Sequence, residues 1–132
     1  MDFIQIGIGA IIIAHGLVHI MFEFYIQDTE NNKNVGWSGE SWLLSKFLDD
    51  ELLKLVGRIF WGLVILGFVV AGLGYFDLPI LIDWWNLVII FSSVLSLVSF
   101  MLFWNGLGPS PLYYIVGIVL DVVFLILPFI QP

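Results

Sequence analysis

The chain has 132 residues, 61% hydrophobic and 11% charged, with a formal charge of -7, no cysteine and a mean hydropathy of +1.06. That length leaves room for one domain, and the composition lies far from the ~45–50% apolar and ~25% charged residues of a soluble domain. The negative charge argues against nucleic acid and against polybasic attachment to anionic lipid; without cysteine there are no disulfides, thiolate metal ligands or cysteine nucleophile.

Four apolar runs of about 18 or more residues read as membrane-spanning helices. The first covers about residues 3–26. Met1-Asp2-Phe3 lacks the basic start of a signal peptide and no small-residue cleavage site follows, so this span is expected to stay in the mature protein. Within it, Ile11-Ile-Ile-Ala-His15-Gly16-Leu-Val-His19-Ile-Met-Phe-Glu23 holds both histidines of the chain. Residues four apart lie one above the other on a helix, so His15, His19 and Glu23 form a polar stripe. Gly16 beside it would let another backbone come close.

Residues 27–40 (QDTENNKNVGWSGE) are rich in turn formers and read as a loop. Residues 41–55 place apolar side chains at 43/44, 47/48, 52 and 55 with charges between them. They read as a short amphipathic helix in the membrane interface; the alternative is an extension of the second span. That span runs about 56–76, the third about 80–104 and the fourth about 111–130. The connections Phe76-Asp77-Leu78-Pro79 and Asn105-Gly-Leu-Gly-Pro-Ser-Pro111 are short, so consecutive helices are antiparallel neighbours.

Lys33, Lys46, Lys54 and Arg58 are all the basic residues, and all lie between the first span and the start of the second. Positive loops stay in the cytoplasm, which puts both termini outside. Trp84 and Trp85 at one end of the third span and Trp104 at the other suit interface belts, with Trp37, Trp42 and Trp61 near the inner face.

Charged groups at membrane depth cost about 2.5–3.5 kcal/mol each on insertion scales and face the bundle interior. At ~1.5 Å of rise per residue, His15 and Asp121 both sit at the midplane. His19 lies roughly 6–8 Å and Glu23 roughly 12–14 Å toward the cytoplasm, Glu23 level with Arg58. Depth therefore pairs His15, with His19, against Asp121, and Glu23 against Arg58. Asn86, Ser92, Ser93, Ser96 and Ser99 in the third span, Gly67, Ala71 and Gly74 in the second, and Tyr114 and Gly117 before Asp121 read as packing groups.

A His-x3-His pair is the two-ligand arm of many metal sites, and Asp121 or Glu23 would complete the three or four ligands that zinc or iron needs. The spacing resembles a zinc-protease helix, but Gly16 stands where the catalytic glutamate would be, which excludes that chemistry. Two histidines on one helix cannot take opposite faces of one haem iron. Imidazoles beside carboxylates in a dry interior also suit a proton relay, and a third possibility is that His15 and Asp121 only lock the bundle. No phosphate loop, serine elbow or paired acidic phosphotransferase motif is present, so no enzyme class is indicated.

AHGLVH in the first span, GWSGESWLL after the first loop, WGLVILGFVVAGLG, LFWNG and IVLDVV together resemble a family of small four-helix membrane proteins of bacteria and archaea with no assigned activity. The resemblance implies that His15, His19, Ser41, Trp42 and Asp121 belong to one shared architecture, in the plasma membrane of a prokaryote; it carries over no substrate or reaction. A looser likeness to DoxX-like four-helix proteins rests on helix count and size.

The sequence is thus expected to form a single all-α domain over 1–132. This is an integral membrane up-down four-helix bundle with a short amphipathic helix between its first two spans. Its polar intramembrane site, His15, His19 and Asp121, is expected to hold a divalent transition metal or small ligand, with Glu23 and Arg58 at the cytoplasmic mouth. The expected setting is a homo-oligomer or larger complex in the lipid bilayer. The alternatives are a structural or accessory subunit of a larger membrane complex and proton-linked transfer in an oligomer.

Overall fold

The computed structural model describes residues 1–24, 26–28 and 33–131. Among them are four α-helices: α1 (Phe3–Val18), α2 (Asp50–Tyr75), α3 (Trp85–Leu102) and α4 (Ile115–Ile130). Three spans, Phe3–Phe22, Asp50–Tyr75 and Trp85–Leu102, are long and apolar enough to cross a membrane. The all-α class holds.

The helix ends are set by local chemistry. Asp2 caps α1, its carboxylate accepting from the Gln5 amide at 2.7 Å. Asp49 does the same for α2 through Leu52 (2.8 Å), with Asp50 and Glu51 in the first turn, where the helix dipole favours negative charge. This start absorbs residues 50–55 into α2. The expected amphipathic helix over 41–55 therefore reduces to a 3-10 turn at Leu44–Lys46, and the extension of the second span is the reading that holds for its second half. At the other end of α2, Asp77 takes a left-handed conformation (φ 60°). Its amide bonds the Gly74 carbonyl at 3.0 Å, a helix stop that Asp tolerates. The Asp77 carboxylate also accepts from Gln5 Nε2 (3.0 Å), tying the start of α1 to the end of α2.

Contacts give the directions. Gly9 faces the Phe76 ring while Gly16 faces Phe68, so α1 and α2 are antiparallel. Gly74 meets Trp85 and Gly67 meets Ser92, reversing α3 on α2. Ser96 and Phe100 of α3 meet Asp121 and Gly117 of α4 in the same reversed order. The packing faces of Gly16 and of Gly67, Ala71 and Gly74 are used as their size allows. A Cβ on Gly16 would lie 2.7 Å from Phe68 Cβ and 3.2 Å from the Ile65 carbonyl oxygen.

The described part of the expected 27–40 loop is not irregular. Strands β1 (Ile26–Asp28) and β2 (Lys33–Trp37) pair antiparallel, with Ile26 opposite Val35. Gly36 and Trp37 pair in turn with β3 (Leu107–Gly108), after α3. Residues 29–32 of that loop lie outside the described residues. The strand pairing is a long-range event that turn-former composition does not report. Trp37 anchors the small sheet: its ring packs at 4.6 Å from Phe103 and fills the space where a Cβ on Gly57 would stand. Ser41 Oγ donates to the Leu102 carbonyl at 2.6 Å, and Trp42 Nε1 to Met101 at 2.7 Å.

The core has two apolar clusters. Ile12, Val64, Phe68, Ala71, Ile89 and Phe124 form one; Phe22, Trp37, Leu53, Trp61, Phe100 and Phe103 form the other. Gly16→Ala adds helix propensity of roughly 1 kcal/mol, but the clash is with a helix backbone that cannot rotate away. The net effect expected is a loss of about 1–3 kcal/mol, read as a lower thermal midpoint.

Candidate functional site

Between the two apolar clusters lies a polar layer made by three helices. His15 comes from α1, and His19 from the 3-10 turn His19–Phe22 that ends it; Ser96 comes from α3 and Asp121 from α4. All four are buried, Ser96 and Asp121 at 0% exposure. Phe68 and Phe124 of the first cluster pack edge-on to His15 at 4.8 and 5.3 Å. Phe22, Trp61 and Phe100 of the second surround His19 at 5.7–5.8 Å.

The polar atoms bond in a chain. His19 Nδ1 lies 2.8 Å from the His15 carbonyl. A carbonyl only accepts, so Nδ1 carries the proton and Nε2 faces inward. His19 Nε2 is 3.1 Å from Ser96 Oγ. Ser96 Oγ donates to Asp121 Oδ2 at 2.6 Å, and His15 Nε2 meets Asp121 Oδ1 at 2.7 Å.

Counting protons along this chain shows what it lacks. Four bonds need four protons; two neutral imidazoles and a hydroxyl supply one each, and an ionised carboxylate supplies none. The Nε2 lone pair of His19 is then left against the lone pairs of Ser96. One further proton would give each of the four bonds its donor.

The His15–Asp121 pairing expected from depth is present, while His19 reaches Asp121 through Ser96 rather than directly. The ligating atoms of His15, His19 and Asp121 lie within 4.8 Å of one another. Two imidazoles and a carboxylate are a donor set suited to zinc or non-haem iron, and the Nδ1–carbonyl bond of His19 is the kind of support that orients metal-binding histidines.

The expected Glu23–Arg58 pair does not form an ion pair. α2 turns Gly57 and Trp61 inward, which leaves Arg58 on the exposed flank. Glu23, past the helical end of α1, is half-buried with Oε1 unpartnered among the described residues. Burial pushes its carboxyl above the usual range, against the pull of the Arg58 charge. Neither residue joins the polar layer.

Two features were not legible in the sequence. Ser96 looks like Ser92, Ser93 and Ser99, yet Ser92 and Ser99 bond the carbonyls four residues back in their own helix and Ser96 bonds Asp121. Only the rotation of α3 against α4 separates them. The second feature is a cavity of about 700 Å³ between α1 and α4, whose walls include His15, His19, Phe100, Tyr114 and Gly117.

Protein-family models, characterised proteins and solved structures contain no match to this chain.

Removing one member of a buried hydrogen-bonded pair strands the other. His15→Ala and Asp121→Ala are each expected to destabilise the protein, and the double variant to fall short of their sum by about 0.5–3 kcal/mol. Unfolding midpoints of the four proteins of the cycle measure the coupling, and strict additivity would show that the pair does not act as a unit.

Proposed function

We propose that this is an integral membrane protein whose polar layer binds a divalent transition-metal ion through His15, His19 and Asp121. The membrane part is supported by the surface. Phe3 of α1, Leu66 of α2, Leu87 and Phe91 of α3 and Val116 of α4 are each more than half exposed. Apolar side chains on every outer face suit lipid rather than water. α4 is short by itself, but with its leading 3-10 turn the apolar stretch runs Pro111–Ile130. At ~1.5–2.0 Å per residue that is about 30 Å, the thickness of the hydrocarbon core. The side bearing all four basic residues, from the α1–α2 connection to the first turns of α2, is then cytoplasmic and both termini are outside.

The observation that carries the metal reading is the His19 Nε2 lone pair, aimed into the polar layer with no donor of its own. A cation there meets that lone pair, His15 Nε2 and the Asp121 carboxylate together. The unbroken run of bonds from His19 through Ser96 and Asp121 to His15 favours proton-linked transfer as a second reading, with a proton in place of the metal.

Elemental analysis of the purified protein, beside a His15→Ala/His19→Ala variant, separates the two. Near-stoichiometric zinc, iron or a similar ion, lost in the variant, is the expected result. Because histidine and carboxylate bind metal only when deprotonated, bound metal is expected to fall as pH is lowered. A protein that takes up no metal after equilibration with zinc and iron would overturn the metal reading.

A further inference from the structure

The cavity between α1 and α4 is walled by carbon along most of its length. Ile11, Ala14 and Val18 of α1 and Val116 and Leu120 of α4 form its sides. Ile11, Val18 and Val116 are also 52%, 58% and 70% exposed on the outer surface, so the mouth opens sideways between the two helices. α1 and α4 are the adjacent pair that touch least. On the membrane reading, which this inference rests on, that mouth faces lipid.

The inner end is different. Rings of Phe22, Phe100 and Tyr114 close it, and the edges of His15 and His19 form part of the wall. His19 turns Nδ1 to the His15 carbonyl and Nε2 to Ser96, inside the polar layer. His15 uses Nε2 on Asp121, and its Nδ1 makes no hydrogen bond among the described residues. Of the two imidazoles facing this otherwise apolar cavity, His15 is the one with a nitrogen to spare.

We infer that the cavity binds a lipid-soluble molecule that carries a hydroxylated aromatic ring, entering sideways from the bilayer and hydrogen-bonding His15 Nδ1. The volume of about 700 Å³ falls within the ~300–1,000 Å³ of small-molecule sites. The aromatic walls at the inner end suit an edge-to-face or offset ring. A hydroxyl is the head group that fits Nδ1 in either tautomer of His15. It donates to a bare nitrogen and accepts from a protonated one. An acyl chain or a purely hydrocarbon ring would leave Nδ1 without a partner.

The test compares 4-nonylphenol with nonylbenzene, which differ by that hydroxyl, for binding to the full chain in lipid nanodiscs. One charge-assisted or buried hydrogen bond predicts a preference of about tenfold for the phenol. His15→Phe, which keeps the ring volume, should abolish the preference. Ala14 lies on an exposed flank of α1, so Ala14→Leu narrows the mouth without disturbing the core. Gly117→Leu fills the interior, where a Cβ meets only Phe100 and His15 at 3.7 and 3.8 Å. Both should weaken phenol binding at least about tenfold while leaving the metal content of the protein unchanged. Equal affinity for the two probes, or phenol binding untouched by both Ala14→Leu and Gly117→Leu, would overturn the inference. A natural-sequence protein that takes up no metal yet still prefers the phenol would instead overturn the metal reading and leave this one standing.

Discussion

A carboxylate buried among apolar side chains has to be satisfied by partners that the rest of the fold brings to it, and Asp121 is that carboxylate here. Its two oxygens accept from α1 through His15 and from α3 through Ser96. An unpaired charge or polar group in such surroundings costs several kcal/mol, so the positions of three helices are set against one another by these bonds. The aromatic clusters above and below lower the local dielectric around the layer, which strengthens its electrostatics.

The same constraint explains where the bundle is close and where it is open. α2 packs tightly on both α1 and α3 through small residues at the contacts, Gly16 of α1 against Phe68 and Gly67 of α2 against Ser92. α4 is held to α1 chiefly by the polar bond to His15, and its far end to α2 by Tyr75, which bonds Gln131 just after α4. Carbon-to-carbon packing between α1 and α4 is sparse, and the cavity occupies the space. The two helices are thus joined there by a polar contact rather than a packed seam.

The small three-stranded sheet closes the end of the molecule nearest His19. Gly36 lies against the carbonyls of Met21 and Phe24 with φ 100°, a conformation that glycine adopts freely, and its amide reaches the Tyr114 hydroxyl (3.4 Å). Tyr114 in turn bonds the Gly108 carbonyl. The sheet therefore joins the end of α1, the α3–α4 connection and the start of α4, the elements that carry the cavity's inner wall.

The sequence by itself determined the helices and the relative level of His15 and Asp121 along them. Apolar runs of sufficient length have few other solutions, and the four-residue spacing of His15 and His19 acts within one helix. Rise per residue was enough to set His15 level with Asp121. It was not enough to pair Glu23 with Arg58, because depth says nothing about which way a side chain points around its helix, and α2 turns Arg58 outward. The choice of Ser96 among similar serines, the pairing of Lys33–Trp37 with Leu107–Gly108, and the cavity between α1 and α4 were decided only by tertiary structure. Each depends on the relative rotation or spacing of segments distant in sequence, and that is settled by packing across the whole bundle rather than by any local pattern.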